Sequence, residues 1–216
     1  MRQVSQKLFY PRISANSEPH ATILHDASRW GYNGTFYADG KPDWVQLPTG
    51  LWVMDFNGTD SYVNLGTSAD QNLFSFTLMA WVCPDVVASW RRIINDQSGW
   101  FEIRIANNSA FQIEIWNGSS WGALGGGPVF SVNSWAFCVA TYDFSTTTAN
   151  LYYNTSLTAT SPTLSASRRN GTLYIGGGQA SEYFDGKIAL PKIYRYVMSQ
   201  PKFEEIYEKE RGWFGV

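Results

Sequence analysis

Helical periodicity is nearly absent from this sequence, and that absence limits the fold more than any other feature. Short runs of β-branched and aromatic residues recur instead, broken by clusters of Gly, Asn, Asp, Ser and Pro. Such runs, at spacings of ~8–12 residues, read as the strands of an antiparallel sandwich or barrel. Asn-Gly dipeptides begin at Asn33, Asn57, Asn117 and Asn170 and supply turn chemistry, because both residues tolerate positive φ. The clearest expected hairpin joins Leu51–Phe56 to Tyr62–Leu65 through Asn57-Gly58. One helix is expected, near the end, with Ser199 as N-cap and Pro201 in its first turn. Phe203, Ile206 and Tyr207 form its apolar stripe, while Glu204, Glu205, Glu208, Lys209 and Glu210 are expected to face water. Trp213, Phe214 and Val216 follow, too apolar for solvent and expected to dock on the domain or on a neighbour.

A chain of 216 residues holds one such domain. Its expected parts are an N-terminal arm over 1–25, the sandwich over 26–198, and a helix with an apolar tail over 199–216. Met1–His20 carries few strand signals, and packing on its own sandwich or on another subunit would order it. Charged residues make up only 16% and the net charge is −2, which argues against nucleic acid as a partner. The longest apolar run, Phe76–Cys83, is far short of the ~20 residues that span a bilayer, so no membrane insertion is expected. The N-terminus shows no apolar signal-peptide core. Cys83 and Cys138 each sit in an apolar strand-like run and read as buried thiols. Aromatics also reach 16%, with ten Trp, more than a core of this size usually needs.

Two consecutive strands show where some of that excess goes. In Trp100–Ala106, the residues Trp100, Glu102 and Arg104 share one parity, and Phe101, Ile103 and Ile105 the other. In Ala110–Trp116, Gln112, Glu114 and Trp116 alternate against Phe111, Ile113 and Ile115. The loop Asn107–Ser109 is short enough for a hairpin, whose apolar face must be core. Direct opposition of Glu102 and Glu114 is unfavourable, so the expected register sets Arg104 near Glu114. The polar face carries Trp100, Glu102, Arg104, Gln112, Glu114 and Trp116 as candidate ligand-binding residues, for a glycan or a subunit. Trp90, Trp121 and Trp213 lie in loops or ends that extend such a surface.

Several segments, in order, resemble the laminin-G-like, concanavalin A-like lectin/glucanase family. They are the opening Asp26–Thr35, Met54–Val63, Phe76–Val82, Trp135–Asp143, Tyr174–Gly177, Phe184–Ile188 and Ile193-Tyr194. The resemblance covers about Asp26 to Tyr207 and implies an all-β, two-sheet antiparallel jelly-roll sandwich that binds sugars, proteins or surfaces. In this family an Asp often follows the Ile of the closing strand and helps to bind calcium; here that position is Ala189. Pro191 in the same strand implies an edge or a bulge.

Calcium is the one cofactor left open. Its candidate ligands are Asp55, Asn57 and Asp60, with Asp185 approaching from the closing strand, against the alternative of turn capping. Glucanases of this fold carry two or three carboxylates along one strand, whereas Glu102 and Glu114 stand one to a strand, which disfavours a glycoside hydrolase. The expectation is a non-enzymatic structural or adhesive module. It would be a decoration protein of a phage capsid or tail, or of another extracellular assembly, binding neighbouring subunits and surface glycans. Tailed-virus surface proteins resembling this family leave the cytosol by lysis, so a virion location needs no leader. A free carbohydrate-binding lectin is the alternative.

Overall fold

The computed structural model describes residues 6–8, 22–28, 31–37, 40–67, 73–97, 99–178 and 182–216. In chain order the strands are β1 Gln6–Leu8, β2 Ile23–Leu24, β3 Gly34–Phe36, β4 Asp43–Gln46, β5 Trp52–Asn57, β6 Val63–Thr67, β7 Phe76–Pro84 and β8 Arg91–Gln97. Then come β9 Phe101–Ile105, β10 Ala110–Trp116, β11 Trp121–Val129, β12 Ala136–Asp143, β13 Thr148–Tyr153, β14 Ser156–Ser161, β15 Thr172–Ile175 and β16 Asp185–Tyr194. The helix α1, Gln200–Glu210, runs into a 3₁₀ turn at Arg211–Trp213. Pairing is antiparallel throughout and builds the expected two-sheet jelly-roll sandwich. Sheet one has the order β14-β13-β12-β7-β16-β5-β4, with β1 also on β16; sheet two has the order β11-β10-β9-β8-β15-β6-β3-β2.

The period-2 pattern sets which residues meet. Inward-facing Phe76, Leu78, Ala80 and Val82 of β7 join Phe101, Ile103 and Ile105 of β9 and Phe111, Ile113 and Ile115 of β10 in the core between the sheets. The opposite parity of sheet one, including Met79, Trp81, Phe137 and Val139, forms a second apolar cluster with Phe203 of α1 and Phe214 of the tail. Strand β7 is therefore buried on both faces, which is why it reads as an unbroken apolar run. Trp81 stacks on Tyr207 at 5.4 Å and on Phe214 at 4.2 Å between ring centroids. Phe214 thus docks in cis, while Trp213 and Val216 are each 41% exposed.

Glu210 departs from expectation. Only 5% exposed, it pairs with Lys192 at 2.8 Å and accepts a hydrogen bond from Trp81 Nε1 at 2.9 Å. The Pro191 signal explains how Lys192 comes to lie there. Strand β16 runs between β7 and β5, and its register to β7 shifts between Ala189 and Lys192. This is a bulge, with Leu190 at φ +46°. Lys192 Nζ also donates to the Leu190 carbonyl at 3.0 Å, so the bulge and the helix end share one buried charge.

Two further expectations are corrected. Asn57-Gly58 does not make a hairpin, because β5 and β6 lie in different sheets. Asn57 Oδ1 instead accepts from the backbone N–H groups of Thr59, Asp60 and Ser61 and turns the chain from one sheet to the other. Asn117-Gly118 does close a hairpin, setting Trp116 opposite Trp121. Gly125-Gly126-Gly127, which reads as a turn, lies within β11. A Cβ at Gly126 would come within 2.9 Å of Ala159 Cβ, so glycine lets β11 approach β14 of the other sheet. Of the expected arm, the Gln6–Leu8 backbone pairs with Lys192–Tyr194 and Ile23–Leu24 adds an edge to sheet two. Residues 1–5 and 9–21 lie outside the described residues, as do Arg29 and Trp30 of the opening motif.

Candidate functional site

Among the described residues no helix covers the outer face of sheet two, and the hairpin β9–β10 lies toward its β11 edge. The register sets Glu102 directly opposite Glu114 and Arg104 opposite Gln112, the pairing that charge alone disfavours. Parity allows either register, since both keep Phe101, Ile103 and Ile105 in the core; the turn settles it, closing Ala106 N–H on the Ala110 carbonyl with Ser109 at φ +64°. Arg104 resolves the repulsion diagonally. Its Nη1 donates to Glu102 Oε1 at 2.6 Å, its Nη2 pairs closely with Glu114 Oε1, and its Nε donates to Gln112 Oε1 at 3.0 Å. Arg92 on β8 pairs with Glu102 at 2.9 Å and with Glu182 at 3.1 Å. Three carboxylates thus share two guanidiniums. The ring of Trp90 covers Arg104, with its centroid 3.8 Å from the guanidinium carbon. Burial pushes the Glu114 carboxyl up to about 7; Arg104 opposes the shift, and Glu102 and Glu182 add to it.

Five of the six candidate residues therefore share this face. Trp100 does not. It is 1% exposed and packs in the core against Phe76, Phe101 and Tyr142. It precedes β9 in a bend, so strand alternation does not extend to it. Trp116 stays at the face, half-buried, edge-on to Trp121 at 5.6 Å and beneath the Arg169 guanidinium at 4.1 Å. Trp121 is 40% exposed.

The face continues past β8 in a way that sequence patterning missed. Register carries a row of side chains from Glu114 and Glu102 to Asn95 on β8, Tyr174 on β15, Asn64 on β6 and Thr35 on β3. Beyond that row, Tyr62 stacks on Tyr37 at 4.7 Å and on Tyr183 at 6.3 Å, and meets Tyr174 edge-on at 5.2 Å. Burial raises the Tyr62 hydroxyl to about 12, so it stays protonated and able to donate. These tyrosines come from separate segments, and only the order of strands in the sheet gathers them.

The calcium candidates are spread differently. Asp55 faces Lys187 at 3.7 Å, and Asn57 Nδ2 donates to Asp60 Oδ1 at 2.8 Å within its turn. Asp185 lies opposite Asn57 in register and against Gly58, where a Cβ would meet its carboxyl at 2.6 Å. Among the described residues no group of three or more His, Cys, Asp or Glu is arranged to hold a metal ion.

No curated protein matches the chain in sequence. Among solved structures, the receptor-binding domain of botulinum neurotoxin mosaic serotype C/D aligns with 96% of this chain and 51% of its own, at TM-score 0.70 and 15% identity. A structure of botulinum neurotoxin type C, which depends on two ganglioside molecules to enter cells, aligns over 95% and 51%, at TM-score 0.67 and 13% identity. A Trypanosoma rangeli sialidase aligns over 97% and 33%, at TM-score 0.68 and 12% identity. The chain spans about half the length of the toxin chains and a third of the sialidase chain, and at these identities the likeness is one of fold. Residues 57–202 match the concanavalin A-like lectin/glucanases superfamily, a span running from the last residue of β5 to the first residues of α1. With this match and the two-sheet jelly roll together, the chain belongs to the concanavalin A-like lectin/glucanase superfamily.

Proposed function

We propose that this chain is a glycan-binding module that uses the outer face of sheet two. One observation carries the reading. That face is polar, rimmed by Trp90, Trp116 and Trp121, and has no helix over it among the described residues, whereas α1 and the tail seal the other outer face. Exposed aromatic rings stack on the apolar faces of sugars, and Gln112, Glu114 and Glu182 offer groups for their hydroxyls. The reading is one of binding without turnover. A retaining glycosidase needs one free carboxylate as nucleophile and one as acid, but Glu102 and Glu114 are both engaged by Arg104 beneath Trp90. In the same reading the chain works at a virion or other extracellular surface, beside neighbouring subunits, where glycans are presented.

The test is a glycan array with the full chain, followed by calorimetry on its hits. Trp90→Ala with Trp116→Ala is expected to weaken binding at least tenfold in a variant that still unfolds cooperatively. Undiminished binding by that double variant would remove the face from the function, and release of reducing ends from a bound glycan would overturn the non-catalytic part.

A further inference from the structure

Asn95 stands at the seam between the charged half of this face and its tyrosine half. In the register it lies between Glu102 on β9 and Tyr174 on β15. It is 1% exposed, and among the described residues neither its Oδ1 nor its Nδ2 has a hydrogen-bond partner. A buried amide without partners costs free energy that an apolar side chain of similar size would not. The fold gives no reason for that cost, since the strand pairing runs through the backbone of Asn95. Two consecutive residues tie the halves together. Glu182 reaches Arg92 at 3.1 Å, and Tyr183 stacks on Tyr62. Their carbonyls accept from the Arg92 N–H and from Arg91 Nη1, which holds the pair against the start of β8.

The unpaired groups define what would satisfy them. The Asn95 amide offers one donor and one acceptor; a trans acetamido group points its N–H and its C=O in opposite directions, so the amide takes one of the two and the other turns to the neighbouring side chains. The adjoining tyrosine rings give the methyl group an apolar wall. Charge narrows the choice further. Arg92 and Arg104 are already committed to three glutamates, so an acidic sugar would meet excess negative charge here. We propose that Asn95 and the tyrosines beside it form a subsite for the acetamido group of a neutral N-acetylated sugar. The subsite deepens the glycan-binding reading of this face and rests on it. At 1% exposure the amide is reached only when neighbouring side chains turn aside on binding.

The experiment is calorimetry of the full chain with N-acetylglucosamine, N-acetylgalactosamine, glucose and galactose. A hydroxyl in place of the acetamido group leaves the tyrosine wall unfilled, so the acetamido sugars should bind at least about tenfold tighter than their parents. Asn95→Leu removes the orphaned amide at similar volume; it should melt at or above the parent temperature and lose the preference. Asn95→Ala should lose it too, and serves if the leucine variant fails to fold. Equal affinity for acetamido and parent sugars, or a preference that survives both variants, overturns the subsite while leaving glycan binding at the tryptophan rim in place. Absence of binding to every sugar and every array glycan overturns both.

Discussion

Trp81 on the outer face of sheet one lies between Tyr207 and Phe214, beneath α1 and the tail; Arg104 on the outer face of sheet two lies beneath Trp90, with Trp121 40% exposed nearby. Both faces hold charge, but on different terms. Lys192 and Glu210 are matched one to one, and the remaining oxygen–donor contact goes to Trp81 Nε1. On sheet two, three carboxylates share two guanidiniums, and the Asn95 amide has no partner among the described residues. A closed face settles its polar groups within the chain, whereas a face with unsettled groups is the one prepared for something outside it.

The comparison breaks most severely at Glu210. Glu210→Ala strands the Lys192 ammonium and the Trp81 N–H in an apolar cluster, and should cost about 3–5 kcal/mol in urea unfolding at pH 7. Burial already lowers the Lys192 pKa, opposed by Glu210, and losing Glu210 lowers it further. The unfolded state then binds more protons than the folded one, so the loss should shrink as pH rises. A pH-independent loss would mean that the helix end, rather than the charge, carries the effect. Replacing the pair together, with Lys192→Met and Glu210→Leu, should cost far less than the single change.

A smaller effect is expected at Phe214. Phe214→Ala removes a ring that is 7% exposed and stacked on Trp81, and should cost about 2–3 kcal/mol by lost burial. Sugar binding at sheet two should be unchanged in calorimetry, since the two faces lie on opposite sides of the core. Loss of binding would show the faces to be coupled.

The smallest and most diagnostic effect concerns Glu114. Its folded carboxyl is pushed up to about 7 from an ordinary value of 4.5, with burial as the main cause. Between those values the folded state holds a proton that the unfolded state has released, so this group lowers stability as pH rises from about 4.5 to 7. Glu114→Gln cannot titrate, and should remove a fall of about 1–3 kcal/mol from the stability–pH curve across that window. Parallel curves for variant and parent would place the titration elsewhere in the cluster.

Much of this was legible in the chain. Alternation in β9 and β10 assigned Glu102, Arg104, Gln112, Glu114 and Trp116 to one face, because strand parity is local. Trp100 was misassigned because parity holds only while the strand lasts, and a bend precedes Phe101. Glu210 was misread because a helical wheel gives direction but not what covers it; the bulge at Leu190 brings Lys192 to meet it. The glycines of β11 hid a strand because their value lies in close approach to β14, which has no sequence period.

The sequence by itself determined a two-sheet antiparallel sandwich, the family, one terminal helix and the polarity of a hairpin face, since each follows from local periodicity, turn chemistry or short motifs in order. The tertiary structure alone decided which outer face is sealed and which is open. It alone brought Asn95, Tyr174, Tyr62 and Tyr183 together beside the glutamates, because strands distant in the chain become neighbours only through the order in which a sheet is assembled.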